Sequence, residues 1–362
     1  MSYFLAAAGI VILIALHELG HMTAAKAVGM RVERYALFFP PFIARVQKGE
    51  TEYALGVIPL GGYAKITGMN PEEKFPPDIA PRAYYNKPVW QRIVVIMAGP
   101  GMNLLIAFLL LFGLSFGAAR ATSTIADVLP GAPAAGVLKA GDRIVAVDGY
   151  RGEGKSTEDR LLGFQGRISS HHCAGPTKPG CQAATPAVLL VERRGRLITL
   201  RIRPKYSAQV GRTRIGFQFG SRPLHPDTIE AAGISGRLMW AVTKGTVRAV
   251  IGVFNAEKRK QISGVVGTYE VTKQAFSFST RDALTVLAII SLSLAIVNLF
   301  PFLPLDGGHV MVSLFEKIRG RRPSYRVLEQ VSVLGFLLVA FLFIVGLSND
   351  IGRLTGGGFD TR

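Results

Sequence analysis

Cysteine is almost absent from this chain: Cys173 and Cys181 are the only two in 362 residues. So few thiols leave room for one local bridge and exclude a disulfide framework. The pair sits in a polar stretch, where a bridge is expected if that stretch faces an oxidising space. The alternatives left open are a second metal site with the adjacent His171 and His172, or two free thiols. Acidic residues are scarce too, 24 against 42 Lys and Arg, for a net charge of +18. That balance raises nucleic acid as a partner, but zinc-finger, homeodomain and RNP-type patterns are all missing, so no nucleic-acid role is expected. Much of the basic charge instead flanks apolar stretches, where it sets orientation and meets anionic lipid. The N-terminus lacks the basic region of a cleaved leader, and its apolar run continues into a polar motif, so a retained helix is expected.

Charge is also lacking along whole segments. Residues 93–119, 283–305 and 330–349 carry none, and residues 3–29 are interrupted only by His17, Glu18, His21 and Lys26. Roughly 20 apolar residues span a bilayer as a helix, so four transmembrane helices in the lipid bilayer are expected. Basic residues crowd 30–92 and the loop with Lys317, Arg319, Arg321, Arg322 and Arg326, which assigns both to the cytoplasmic side. Both termini and the long segment 120–282 then lie outside the cell membrane.

That long segment contains strand signals at Ile125–Val128, Gly141–Gly149, Ala187–Arg193 and Leu197–Ile202, the last two straddling a turn at Arg194-Gly195-Arg196. Over 120–206 the pattern looks like a PDZ domain of the bacterial type. Residues 151–184, rich in Gly, Ser and His, read as a loop insertion carrying the cysteines. Residues 207–282 read as an extracytoplasmic linker with an amphipathic helix. Its Arg237, Lys244 and Arg248 share one face, and it is expected on the outer membrane surface or on the β module.

The first apolar stretch holds His17-Glu18-Leu19-Gly20-His21. Two imidazoles at i and i+4 share a helix face and can grip one Zn2+ while the intervening glutamate handles protons. Ionisable residues inside a spanning helix are costly and mark function; the bland alternative is a buried pair bonded to helix carbonyls. A catalytic zinc takes three protein ligands and keeps one position open. Asp306, in Asp306-Gly307-Gly308-His309, is the third candidate, with His309 competing from three residues on. Asn298, Pro301 and Pro304 break the third apolar helix ahead of Asp306. Broken backbone at membrane depth is tolerated only where it lines protein or a wet cavity. Gly61 and Gly62 permit a bend, and Tyr63, Ala64 and Lys65 continue as a strand with a free edge, suited to holding an extended peptide through main-chain pairing. An ordinary cytoplasmic hairpin is the alternative there.

With these residues in place, the chain resembles the site-2 protease family of intramembrane zinc metalloproteases, in its bacterial type with one PDZ-like module. The resemblance rests on His17–His21, on Ala98-Gly99-Pro100-Gly101-Met102-Asn103, and on Asn298–His309, in that order along nearly the whole chain. It implies a multi-pass α-helical membrane protein with four transmembrane helices, a re-entrant β-element within 31–92, and an inserted extracytoplasmic PDZ-like α/β domain. It implies one zinc per chain on His17, His21 and Asp306, with Glu18 as general base. Asn298 and Asn103 match asparagines that the family keeps near the site, and Gly61–Lys65 match its substrate-pairing element. The implied substrates are transmembrane segments of single-pass membrane proteins already trimmed outside, of anti-sigma-factor or signal-peptide-remnant kind, in regulated intramembrane proteolysis. A non-catalytic scaffold presenting the PDZ-like module is the rival reading.

Overall fold

The structure is a computed structural model that describes residues 2–70, 72–176, 178, 180–207, 212–252, 255 and 264–356. The charge reading of the C-terminal tail, which uses Arg362, falls outside the described residues, as do Met1 and linker positions 208–211. The described residues form two compact units, one within 2–115 and 227–356 and the other within 116–226.

In chain order the first unit begins with α1 (Ser2–Ala27), β1 (Val32–Lys48), β2 (Thr51–Ile66) and α2 (Val89–Ser115). The second unit contains β3 (Ala119–Val128), β4 (Arg143–Val147), α3 (Thr157–Ser169), β5 (Ala187–Arg193), β6 (Arg196–Ile202), β7 (Lys205–Ser207), β8 (Arg212–Arg214) and β9 (Phe217–Pro223). The first unit resumes with α4 (Thr228–Gly252), α5 (Val265–Phe278), α6 (Thr280–Asn298), α7 (Asp306–Arg319) and α8 (Tyr325–Gly356). Helices α1, α2, α6 and α8 are each long and apolar enough to cross a membrane. Together with the β-element these make an integral membrane protein.

Small residues let the helices meet closely. A Cβ on Gly20 of α1 would strike the Ala98 carbonyl of α2, and one on Gly335 of α8 would strike the Leu303 carbonyl in the loop before α7. Buried Ser235 bonds Ser115 at 3.1 Å, and Met239 and Val242 pack against Ala107, Leu292 and Ile296. Helix α4 therefore lies on α2 and α6. Of the two expected resting places, the β module is not the one these residues take.

Strands β1 and β2 pair antiparallel with several register shifts, so that residues 34–37 are paired on both sides. One side takes Glu52–Leu55; the other takes Gly62–Lys65 in the pairs Leu37↔Gly62 through Arg34↔Lys65. Among the described residues no further strand pairs with Gly62–Lys65, which is an edge. The sheet is tied to α1 by the Tyr35 hydroxyl, which donates to the Ala15 carbonyl at 2.7 Å.

The second unit is a five-stranded sheet in the order β6-β5-β4-β3-β9, over a core of Ile125, Ile144, Leu189, Val191 and Phe164. The expected boundary at 206 is corrected: β9 pairs with β3, supplying the hydrogen bonds that β3 lacks on that side. The loop reading of 151–184 is corrected as well. Ser156 caps α3 by accepting from the Asp159 N–H at 3.1 Å, and Leu161, Phe164 and Ile168 bury one helical face. Cys173 and Cys181 are disulfide-bonded between α3 and β5.

Candidate metal centre and active site

Helix α1 puts His17 and His21 one turn apart, 6% and 7% exposed, facing α2. Asp306 arrives from a different direction. Helix α6 stops at Asn298, the proline-containing loop turns, and α7 starts at Asp306. The prolines end α6, and the aspartate opens a new helix. Gly307 and Gly308 allow that turn, since a Cβ on either would strike the backbone of Leu299–Leu303.

The three groups meet as a nearly equilateral triangle. His17 Nε2 and His21 Nε2 are 3.3 Å apart, and Asp306 Oδ2 lies 3.2 Å and 3.4 Å from them. Ligands about 2.0–2.1 Å from a tetrahedral zinc stand roughly 3.3 Å from each other, so the triangle is one face of such a tetrahedron, with a fourth vertex to spare. The protonation pattern fits a cation too. His21 Nδ1 lies 2.9 Å from the Val95 carbonyl, which selects the Nδ1–H tautomer and leaves a lone pair on Nε2. Asp306 Oδ2 is buried without a hydrogen-bond donor. The bare lone pairs of His21 Nε2 and Asp306 Oδ2, converging beside the His17 ring, suit a metal ion. Among the described residues these three form the cluster able to hold one; His309 lines the cavity but is not part of it.

A cavity of about 430 Å³ opens beside the triangle. Glu18, Asn298, His309 and the edge residues Gly61–Ala64 line it. A Cβ on Gly62 would stand 3.0 Å from Glu18 Cγ, so glycine is what lets the strand approach the glutamate. Lys65 turns away into ion pairs with Glu33 at 2.6 Å and Glu73 at 3.3 Å. Asn298 Nδ2 is 3.4 Å from His17 Nε2 at the cavity wall. Asn103 is fully buried, lies behind the histidine with its amide 3.1 Å from His17 Nδ1, and does not line the cavity. Sequence reasoning missed Gly99, whose missing side chain makes room for the His21 ring. Its signal was a glycine beside Pro100 in an otherwise bulky apolar helix.

Three groups able to hold a metal, two from membrane helix α1 and one from the start of α7 after the helix break, lie beside a glutamate at a cavity, as in a membrane zinc metalloendopeptidase. The model of peptidase family M50 matches residues 5–342, and the chain belongs to that family, the site-2 proteases. It is 28% identical over 374 residues to the zinc metalloprotease Rip1 of Mycobacterium tuberculosis, covering 88% of this chain and 87% of that one. It is 29% identical over 360 residues to Cj1068 of Campylobacter jejuni, whose zinc metalloprotease name is provisional, covering 95% and 91%. Zinc is accordingly the cofactor.

Proposed function

We propose that the enzyme cuts peptide bonds within transmembrane segments of single-pass membrane proteins that have already lost their outer domains, as a step of regulated intramembrane proteolysis. The observation that carries this is the shared cavity: the His17–His21–Asp306 triangle, Glu18 and the edge Gly62–Ala64 face one space.

When bound, zinc supplies a Lewis acid that polarises the scissile carbonyl and acidifies the attacking water. Glu18, one residue from His17, takes the proton from that water and returns it to the leaving amine. A transmembrane helix hides its peptide bonds, so it must be unwound before attack. The free edge at Gly62–Lys65 offers main-chain donors and acceptors to an extended segment without reading its sequence. Asn298 is the side chain at the cavity wall suited to a substrate carbonyl. Asn103 acts instead through His17. With Nε2 given to the metal, His17 Nδ1 carries a proton and needs an acceptor. Asn103 Nδ2 stands 3.1 Å from that nitrogen, and turning the amide over brings the unpartnered Oδ1 into the same place as the acceptor.

In this reading residues 30–92 and the α7–α8 loop are cytoplasmic, and both termini and the second unit lie outside. The second unit acts as a PDZ-like module that receives or filters trimmed substrates. In support, β9 is an edge strand, and a cavity of about 510 Å³ lies among Gln165 and Ile168 of α3 and Ile215–Phe219. The test is co-expression with a tagged single-pass membrane substrate, comparing wild type with Glu18→Gln. Cleavage by wild type and none by the variant is expected; equal cleavage by both rejects the proposal.

A further inference from the structure

One buried stripe of α2 touches both histidines of the metal centre. The Val95 carbonyl holds His21, Gly99 makes room for the same ring, and Asn103 holds His17. One turn before Val95 on that stripe stands Arg92, 1% exposed. Its Nη1 donates to Glu316 of α7 at 2.8 Å. Its guanidinium also lies near the rings of Tyr84 and Tyr85, 6.0 Å and 5.6 Å from their centroids. Its Nε has no acceptor, so Glu316 is its anionic partner. A guanidinium buried this deeply is tolerable only while that carboxylate stays in place.

Glu316 lies ten residues beyond Asp306 on the same helix, about 15 Å along a stiff rod. Helix α7 leaves a proline loop at one end and stops at left-handed Gly320 at the other. Beyond those of Asp306 itself, its ion pairs among the described residues run through Glu316, to Arg92 and to Arg322 at 3.3 Å. Arg322 also donates to the Tyr85 carbonyl. The Tyr84 N–H donates at 2.9 Å to the carbonyl of Thr67, the residue after β2. One cluster thus joins the helix of the third ligand, the helix behind the two histidines, and the strand lining the cavity.

We propose that Arg92 and Glu316 are positioning residues for the metal centre, fixing the rotation and depth of α7 so that Asp306 Oδ2 completes the triangle with His17 and His21. The proposal rests on the metal reading of that triangle. It makes α2 a template on which all three ligands are set, two through direct contacts and the third through this ion pair.

The test uses the purified full chain loaded with Co2+ alone, whose visible spectrum reports ligand geometry, and competition with a chelator for Co2+ and Zn2+. Glu316→Gln should shift the cobalt spectrum and loosen both metals about tenfold or more, the range for losing an outer-shell support. Arg92→Lys, which keeps the charge but loses the planar fork, should do the same to a smaller degree. Asp142→Asn breaks a buried ion pair in the other unit and should leave spectrum and retention unchanged. If Glu316→Gln fails to fold, Arg92→Lys carries the comparison. A folded variant with wild-type spectrum and wild-type retention overturns the positioning role. Loss of metal only in proportion to unfolded protein, with the folded fraction unaltered, overturns it as well. A wild-type chain that takes up neither metal overturns the metal reading and the proposal with it.

Discussion

Gly62 and Glu18 are close enough that a single methyl group would force them apart: a Cβ on Gly62 would stand 3.0 Å from Glu18 Cγ and 3.0 Å from the Ala36 carbonyl. The strand that borders the cavity and the glutamate beside the ligands are therefore fitted to each other, through a residue with no side chain.

Gly62→Ala should push the edge away from Glu18 without touching a ligand. Misplacement of about 1 Å in a reactive geometry costs roughly 100-fold in rate. Cleavage of a tagged membrane substrate should fall by about that factor while zinc content, measured on the purified protein, stays at the wild-type level. Loss of zinc along with activity would show that the strand supports the ligands rather than the substrate.

Asn103→Ala should act in the opposite sense, on the metal first. It removes the partner of His17 Nδ1 from a fully buried position. A lost outer-shell partner weakens metal binding by about 10–100-fold. Chelator competition should show that loss, and excess zinc should recover much of the cleavage. Unchanged zinc affinity with reduced cleavage would return Asn103 to the role of substrate contact.

Gly335→Ala probes the loop that presents Asp306. The new Cβ would collide with the Leu303 carbonyl, three residues before Asp306. Overpacking of this kind costs about 1–3 kcal/mol. Thermal unfolding in detergent should register that loss, with lower zinc content at equal protein. Gly101→Ala, where a Cβ meets nothing within 4 Å, is the matched control and should be silent.

Acid should loosen the second unit through Asp142. Hydrogen bonding from Arg193, at 2.7 Å, holds the Asp142 carboxyl below the ordinary carboxylate range despite its burial. The folded state then binds the proton less readily than the unfolded state. The contribution is complete above the ordinary aspartate value of about 3.9 and fades as pH falls through the lowered folded value. Asp142→Asn should cost about 1.5–3 kcal/mol at neutral pH and flatten this acid dependence. Limited proteolysis of residues 116–226 across a urea series at pH 7 and pH 3 measures both.

How far the sequence led differs from residue to residue. The spacing of His17, Glu18 and His21 needs only the period of an α-helix, and the uncharged runs need only the thickness of a bilayer, so both were legible. Helix α3 was also written locally, in the Ser156 cap and the spacing of Leu161, Phe164 and Ile168, but the surrounding Gly and Ser hid it. Helix α4 carries one basic face and one apolar face, and nothing local says whether lipid, sheet or helices will cover the apolar one.

The sequence by itself determined the ligand types, the helix period that pairs two of them, and the proline break that frees Asp306 from the third apolar helix. Those follow from side-chain chemistry and backbone geometry within a few residues. The tertiary structure alone decided that Asp306 rather than His309 closes the triangle, that Asn103 stands behind His17 instead of facing the cavity, and that Gly62 and Gly99 are clearances for Glu18 and His21. Each of these depends on which surfaces of separate elements touch. Contact between residues dozens or hundreds apart is set by packing, which no local pattern records.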